Sequence, residues 1–159
     1  MPRFNYYQQF PEAFAKLSEI ENLIRSCSLE PQLIHLVKMC VSQINHCAFC
    51  VDMHAKDAKI DNEKELRLYH LTVWKESELF SAREKAALKW AEAITRLPAQ
   101  SVSDELYNEV RAHFSEKELT ELNMAVAMIN LWNRFGVPFQ AQPGSLDKQY
   151  GLDKAGLSG

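Results

Sequence analysis

Three times in this chain a side chain able to accept the first N–H groups of a helix is followed three positions later by glutamate: Asn62 with Glu65, Ser81 with Glu84, and Ser115 with Glu118. Each pair has the form of a capping box, in which the two side chains satisfy backbone donors that a helix start leaves open. Apolar residues then recur at helical spacing. Leu66 and Tyr69 follow the first box, Ala87, Trp90, Ile94 and Leu97 the second, with Pro98 as the stop. Behind the third come Leu119, Leu122, Val126 and Ile129 on one face and Met124, Met128, Leu131 and Phe135 on another, closed by Gly136 and Pro138. A helix apolar nearly all round is buried on every side, in the core or against another subunit. Pro11 and Pro31 suit the first turns of two more helices, one carrying Phe14, Leu17 and Ile24, the other Leu33, Leu36, Val37, Cys40 and Ile44. Leu106, Val110 and Phe114 predict another short one after a loop around Ser101–Asp104. No Val, Ile, Thr and Tyr alternation is bounded by Asn-Gly or Asp-Gly turns, so no strand is predicted. The expected fold is all-α, a bundle of six to eight helices forming one domain over residues 1–138. Residues 139–159 turn to Gly, Pro, Gln, Lys and Asp and read as a polar tail, mobile or draped over a neighbour.

One stretch of this bundle carries chemistry. Cys47, Cys50 and His54 lie at i, i+3 and i+7, so on a helix starting near Cys47 two thiols and an imidazole share a face. A thiol in the first turn of a helix meets the positive end of the peptide dipoles, which favours thiolate over thiol. Two such thiols can also close a disulfide, and a loop so small constrains the unfolded chain weakly, which suits a bond that opens and closes. From residue types alone three readings stand: a redox pair, part of a zinc site, or two packed small hydrophobes. Zinc lacks a fourth ligand, for which the sequence offers only scattered His35, His46 and His70. Cys40 falls on the apolar side of its helix and reads as core, and Cys27 as a packed or surface thiol. Asn45-His46 interrupts the helical pattern before the pair. A single straight helix would hold His35 about 18 Å from Cys47 at 1.5 Å per residue, so only a turn brings them together.

The rest of the composition excludes other classes. Eighteen Lys and Arg are dispersed among twenty-one Asp and Glu, for a net charge of −3, with no basic run to track phosphates, so no nucleic acid is expected. The longest unbroken apolar run, Met124 to Ile129, is far short of the roughly 20 residues a membrane helix needs, so no membrane partner is expected. Met-Pro-Arg-Phe-Asn-Tyr-Tyr at the start has no apolar core of a signal peptide, which makes a cytoplasmic location the expectation. Four unevenly spaced cysteines in a reducing compartment point to catalysis or sensing rather than a disulfide framework.

Three segments carry a resemblance: Val41-Ser-Gln-Ile-Asn-His-Cys-Ala-Phe-Cys-Val-Asp-Met-His-Ala-Lys-Asp57, Phe80-Ser-Ala-Arg-Glu-Lys-Ala-Ala-Leu-Lys-Trp-Ala-Glu-Ala93 and Ile129-Asn-Leu-Trp-Asn-Arg-Phe135. Together they resemble the carboxymuconolactone decarboxylase superfamily in its AhpD-like alkyl hydroperoxidase branch. The resemblance implies an all-α fold assembled into trimers or hexamers. It also implies a thiol peroxidase or disulfide reductase that acts on a hydroperoxide or disulfide, takes electrons from an external thiol reductant, and uses neither cofactor nor metal. By that resemblance Cys50 attacks the peroxide, Cys47 resolves, and His54 relays protons. The family's glutamate stands twelve residues before the first cysteine, where this chain has His35, so the resemblance gives His35 the part of proton acceptor. Phe49 stands where the best-known peroxidases carry histidine, which likens the chain to the wider peroxidase-related group. Two other expectations stand beside this one: a non-catalytic thiol sensor or binding module, and a lactone decarboxylase-like enzyme, whose chemistry needs no thiol pair.

Overall fold

Ser81 and Ser115 form the capping boxes their spacing predicts. Each hydroxyl accepts from the backbone N–H three residues on, and each glutamate accepts from the serine's own N–H. Two of the longest helices start there, α5 (Ala82–Arg96) and α7 (Glu116–Gly136). Before them come α1 (Pro11–Arg25), α2 (Pro31–Ile44), α3 (Ala48–Ile60) and α4 (Glu65–His70), with α6 (Asp104–Arg111) between them and a single turn, α8 (Asp147–Tyr150), after. The structure, a computed structural model, describes residues 2–97 and 102–157, and among these there are eight α-helices and no strand. The all-α expectation holds. Pro98 and Ser101, read as a helix stop and a loop residue, lie outside the described residues.

Asn62 departs from its expected role. It closes α3 instead of capping α4: its backbone is left-handed (φ 65°), its N–H donates to Lys59, and the N–H of Glu63 reaches back to Ala58. These two bonds are a Schellman ending, and asparagine is among the few residues that tolerate the left-handed geometry. Lys64 then caps α4 without a side-chain bond.

The central element is α2. Every residue from Leu33 to Ser42 is buried, because α2 packs against α3, α5 and α7 and separates two apolar clusters. One cluster gathers Leu36, Met39 and Cys40 with Leu71, Trp74 and Leu88, so Cys40 is core, and burial pushes its thiol up to about 12. The other joins Val37 and Val41 to Cys47, Cys50, Val126 and Ile129. Helix α7 buries Leu119, Leu122, Val126 and Ile129 in its own chain and leaves Met124 exposed. Its Trp132 and Phe135 pack their rings against Tyr6, Tyr7 and Phe14, which seats the N-terminal segment over α1 and the end of α7. The C-terminal segment also lies on its own chain: Leu152 is buried, and buried Lys56 on α3 bonds Asp147 at 2.7 Å as well as Asp52 at 2.8 Å.

Candidate active site

The local fold that presents the cysteines is a second Schellman ending. Helix α2 stops at Asn45, His46 takes the left-handed conformation (φ 56°), its N–H donates to Gln43, and the Cys47 N–H donates to Ser42 at 2.9 Å. The chain reverses in one residue, and Cys47 becomes the N-cap of α3. A polar group of four fixes this corner to α7. The Asn45 amide donates to Asn130 and Asn133 at 2.9 and 2.8 Å, and Asn133 donates to the buried Ser42 hydroxyl at 3.2 Å.

Cys47 and Cys50 are joined in a disulfide, their Cα atoms 5.3 Å apart, inside the usual span for such a bond. The Cys50 N–H donates to the Cys47 sulfur at 3.4 Å, so a thiolate released at Cys47 meets an open donor of the helix start. Both sulfurs are well covered, with 1% of Cys47 and 3% of Cys50 exposed. Gly136, the last residue of α7, comes so close to the pair that there is no room for a side chain on it: a Cβ there would lie 2.7 Å from the Cys47 sulfur and 3.4 Å from that of Cys50. The sequence reading gave Gly136 the job of ending the helix; the structure gives it the job of letting α7 approach the disulfide.

A cavity of about 320 Å³ opens onto this corner, and Cys50 lines it while Cys47 does not. Tyr6, Tyr7, Phe49, Trp132 and Tyr150 supply its aromatic walls. His54, one turn past Cys50, also lines it. Its Nδ1 is buried with no hydrogen-bond partner among the described residues. Burial first, then the positive charges of Lys38, His35 and Arg25, hold the His54 imidazole well below its ordinary 6.5, so the ring is neutral at pH 7. Also lining the cavity, Lys38 of α2 is ion-paired to Glu21 of α1, and Glu21 accepts the Trp132 indole N–H at 2.8 Å.

Cys47, Cys50 and His54 are thus brought together as their spacing predicts. His35 is placed elsewhere: it is buried on α2, its Nε2 pairs with Asp61 at 2.7 Å, and it does not line the cavity, although it lies near enough to act electrostatically on His54. Sequence reading missed Glu21, Lys38, Trp132 and Gly136. For Lys38 a signal was present, a lone cation in the apolar run Leu33 to Val41; for Glu21, on an ordinary amphipathic helix, there was none. Among the described residues no three His, Cys, Asp or Glu side chains converge in a metal-holding cluster. A second hollow of about 500 Å³ lies by Cys40 and Trp74, and neither Cys47 nor Cys50 lines it.

Comparison with known proteins bears on family and fold. The profile of the Carboxymuconolactone decarboxylase family matches residues 8–93. The uncharacterized protein YdfG of Bacillus subtilis (strain 168) is 40% identical over 85% of this chain and 92% of its own length. A crystal structure of a protein of unknown function from Agrobacterium tumefaciens, put forward as an antioxidant defence protein AhpD, superposes with a TM-score of 0.86 at 39% identity, covering 90% of this chain and 98% of that one. The debrominase Bmp8, in complex with 2,3,4-tribromopyrrole, shares the fold at 18% identity with a TM-score of 0.78, covering 93% of this chain and 79% of its own. A helix-capping thiol pair on an AhpD-like all-α fold, matched by profile and by relatives across most of its length, makes this chain a member of the carboxymuconolactone decarboxylase family.

Proposed function

We propose that the protein is a thiol-dependent alkyl hydroperoxidase or disulfide reductase working at Cys47 and Cys50. The observation that carries this reading is that Cys50, one half of a buried disulfide, lines an aromatic-walled cavity together with the neutral imidazole of His54. In the reduced protein the Cys50 thiolate, favoured by the start of α3, attacks the terminal oxygen of a hydroperoxide and becomes a sulfenic acid. Cys47, already within bonding reach, attacks that sulfur; water leaves and the disulfide forms. An external thiol then exchanges with the disulfide and restores both thiols. His54 carries protons between Cys50 and the cavity, and no bound cofactor enters. The same proposal holds that the protein works as a homo-oligomer, trimer or hexamer, for which Met124 on α7 offers exposed apolar surface; light scattering across a dilution series would show assembly, and a monomer at micromolar concentration would contradict it.

The test is mass spectrometry of the reduced protein before and after one equivalent of cumene hydroperoxide, followed by steady-state consumption with a dithiol. The expected result is loss of two hydrogens, mapped to a Cys47–Cys50 link, and repeated turnover. A disulfide that forms once and is not turned over would make the pair a sensor instead.

A further inference from the structure

Lys38 is 4% exposed, and lysine is rarely buried this deeply unless something holds it. What holds it is the Glu21 carboxylate, itself oriented by the Trp132 indole. An ammonium has three donors, and among the described residues Nζ of Lys38 makes one contact, to Glu21. The pair is an expensive way to join α1 to α2, since two buried apolar residues commonly do as well. Its position explains it better. Lys38, Glu21, Cys50 and His54 line one cavity, and the Nδ1 of His54 is buried without a partner among the described residues.

Peroxide reduction at Cys50 creates a need that a neutral imidazole meets poorly. When the thiolate sulfur bonds to the terminal oxygen, the O–O bond breaks and its electron pair leaves on the alkyl oxygen as an alkoxide. Sulfur is oxidised to sulfenic acid, the peroxide is reduced, and the alkoxide must be protonated. An alkoxide is far more basic than an amine, so an ammonium at that place gives up its proton downhill. The neutral amine then regains one from water.

Resting on the hydroperoxidase reading above, we infer that Lys38 is a catalytic residue, the proton donor to the departing alkyl oxygen, with Glu21 and Trp132 as positioning residues that aim its ammonium into the cavity. Peroxides whose leaving group needs no proton should be indifferent to it.

The experiment compares two oxidants on the reduced full-length protein, reading the rate of Cys47–Cys50 disulfide formation. tert-Butyl hydroperoxide must expel a strongly basic alkoxide; peracetic acid expels acetate. The variant Lys38→Met/Glu21→Gln removes both charges together, so no lone carboxylate is left buried. It should slow the tert-butyl hydroperoxide reaction on the order of 10²-fold, the usual size of one general acid, and leave the peracetic acid rate within a few-fold. That second rate reports whether the site has kept its shape. Should the double variant fail to fold, Lys38→Arg keeps the ion pair but is a much weaker acid, and must show the same selective loss in smaller measure. Equal slowing of both oxidants, or of neither, overturns the assignment. A wild-type protein inert to both overturns the hydroperoxidase reading and this inference with it.

Discussion

Gly136 lies against Cys47 so closely that a Cβ on it would stand 2.7 Å from the cysteine sulfur. Inside a helix, Gly→Ala ordinarily stabilises by up to about 1 kcal/mol. Here the added methyl has no space, since the sulfur is fixed by its bond to Cys50 and by the α2–α3 corner. Gly136→Ala should therefore destabilise, by about 1–3 kcal/mol as overpacking commonly does, and should slow closure of the disulfide. Denaturant melts of the oxidised protein check this, and a gain in stability would show that the corner yields easily.

His46 is a non-glycine residue held left-handed at φ 56° so that Cys47 can follow α2 directly. That conformation costs an ordinary residue about 1–2 kcal/mol and costs glycine little. His46→Gly should raise the melting temperature and leave the thiol chemistry unchanged, because the geometry delivering Cys47 is kept. Thermal unfolding with a matched activity assay measures both; a fall in stability would mean that the imidazole makes a contribution of its own.

The imidazole of His54 is held well below 6.5 by burial and by Lys38, His35 and Arg25. Between 6.5 and the lowered folded value the unfolded chain binds a proton that the folded chain refuses, so stability present above pH 6.5 is lost as pH falls through that window. His54→Gln should flatten this part of the stability profile. His35→Ala removes one of the opposing charges, so His54 should titrate nearer 6.5 and the acid limb of activity should move to higher pH. A general base at His35 would instead cost on the order of 10²-fold on removal. The pairing of His35 with Asp61, outside the cavity, predicts a loss of no more than several-fold at pH 7.5. Rate–pH profiles of both variants separate the two.

Much of the fold was legible because helix starts are written locally. Ser81 and Ser115 cap where their own hydroxyls and the glutamates three residues on can reach. Asn62 has the same spelling, but the chain needed a left-handed residue there to leave α3, and tertiary geometry decided between two uses of one side chain. Cys47, Cys50 and His54 were legible for the same reason, as neighbours on one helix. Glu21 and Lys38 meet from two helices seventeen residues apart, and Gly136 reaches Cys47 from the far end of α7. No periodicity records such meetings. The depth of α2 was hidden for a related reason: it carries His35, Lys38 and Ser42, which look like a polar face until Asp61, Glu21 and Asn133 are found opposite them.

The central claim is that Cys50 meets the oxidant and Cys47 resolves it, and a single-turnover titration of the two serine variants with cumene hydroperoxide tests it most directly. Cys47→Ser should consume one equivalent and stop with a sulfenic acid trapped at Cys50, since attack needs only the thiol of the cysteine that lines the cavity. Cys50→Ser should consume none. An inert Cys47→Ser beside a reactive Cys50→Ser would contradict the account.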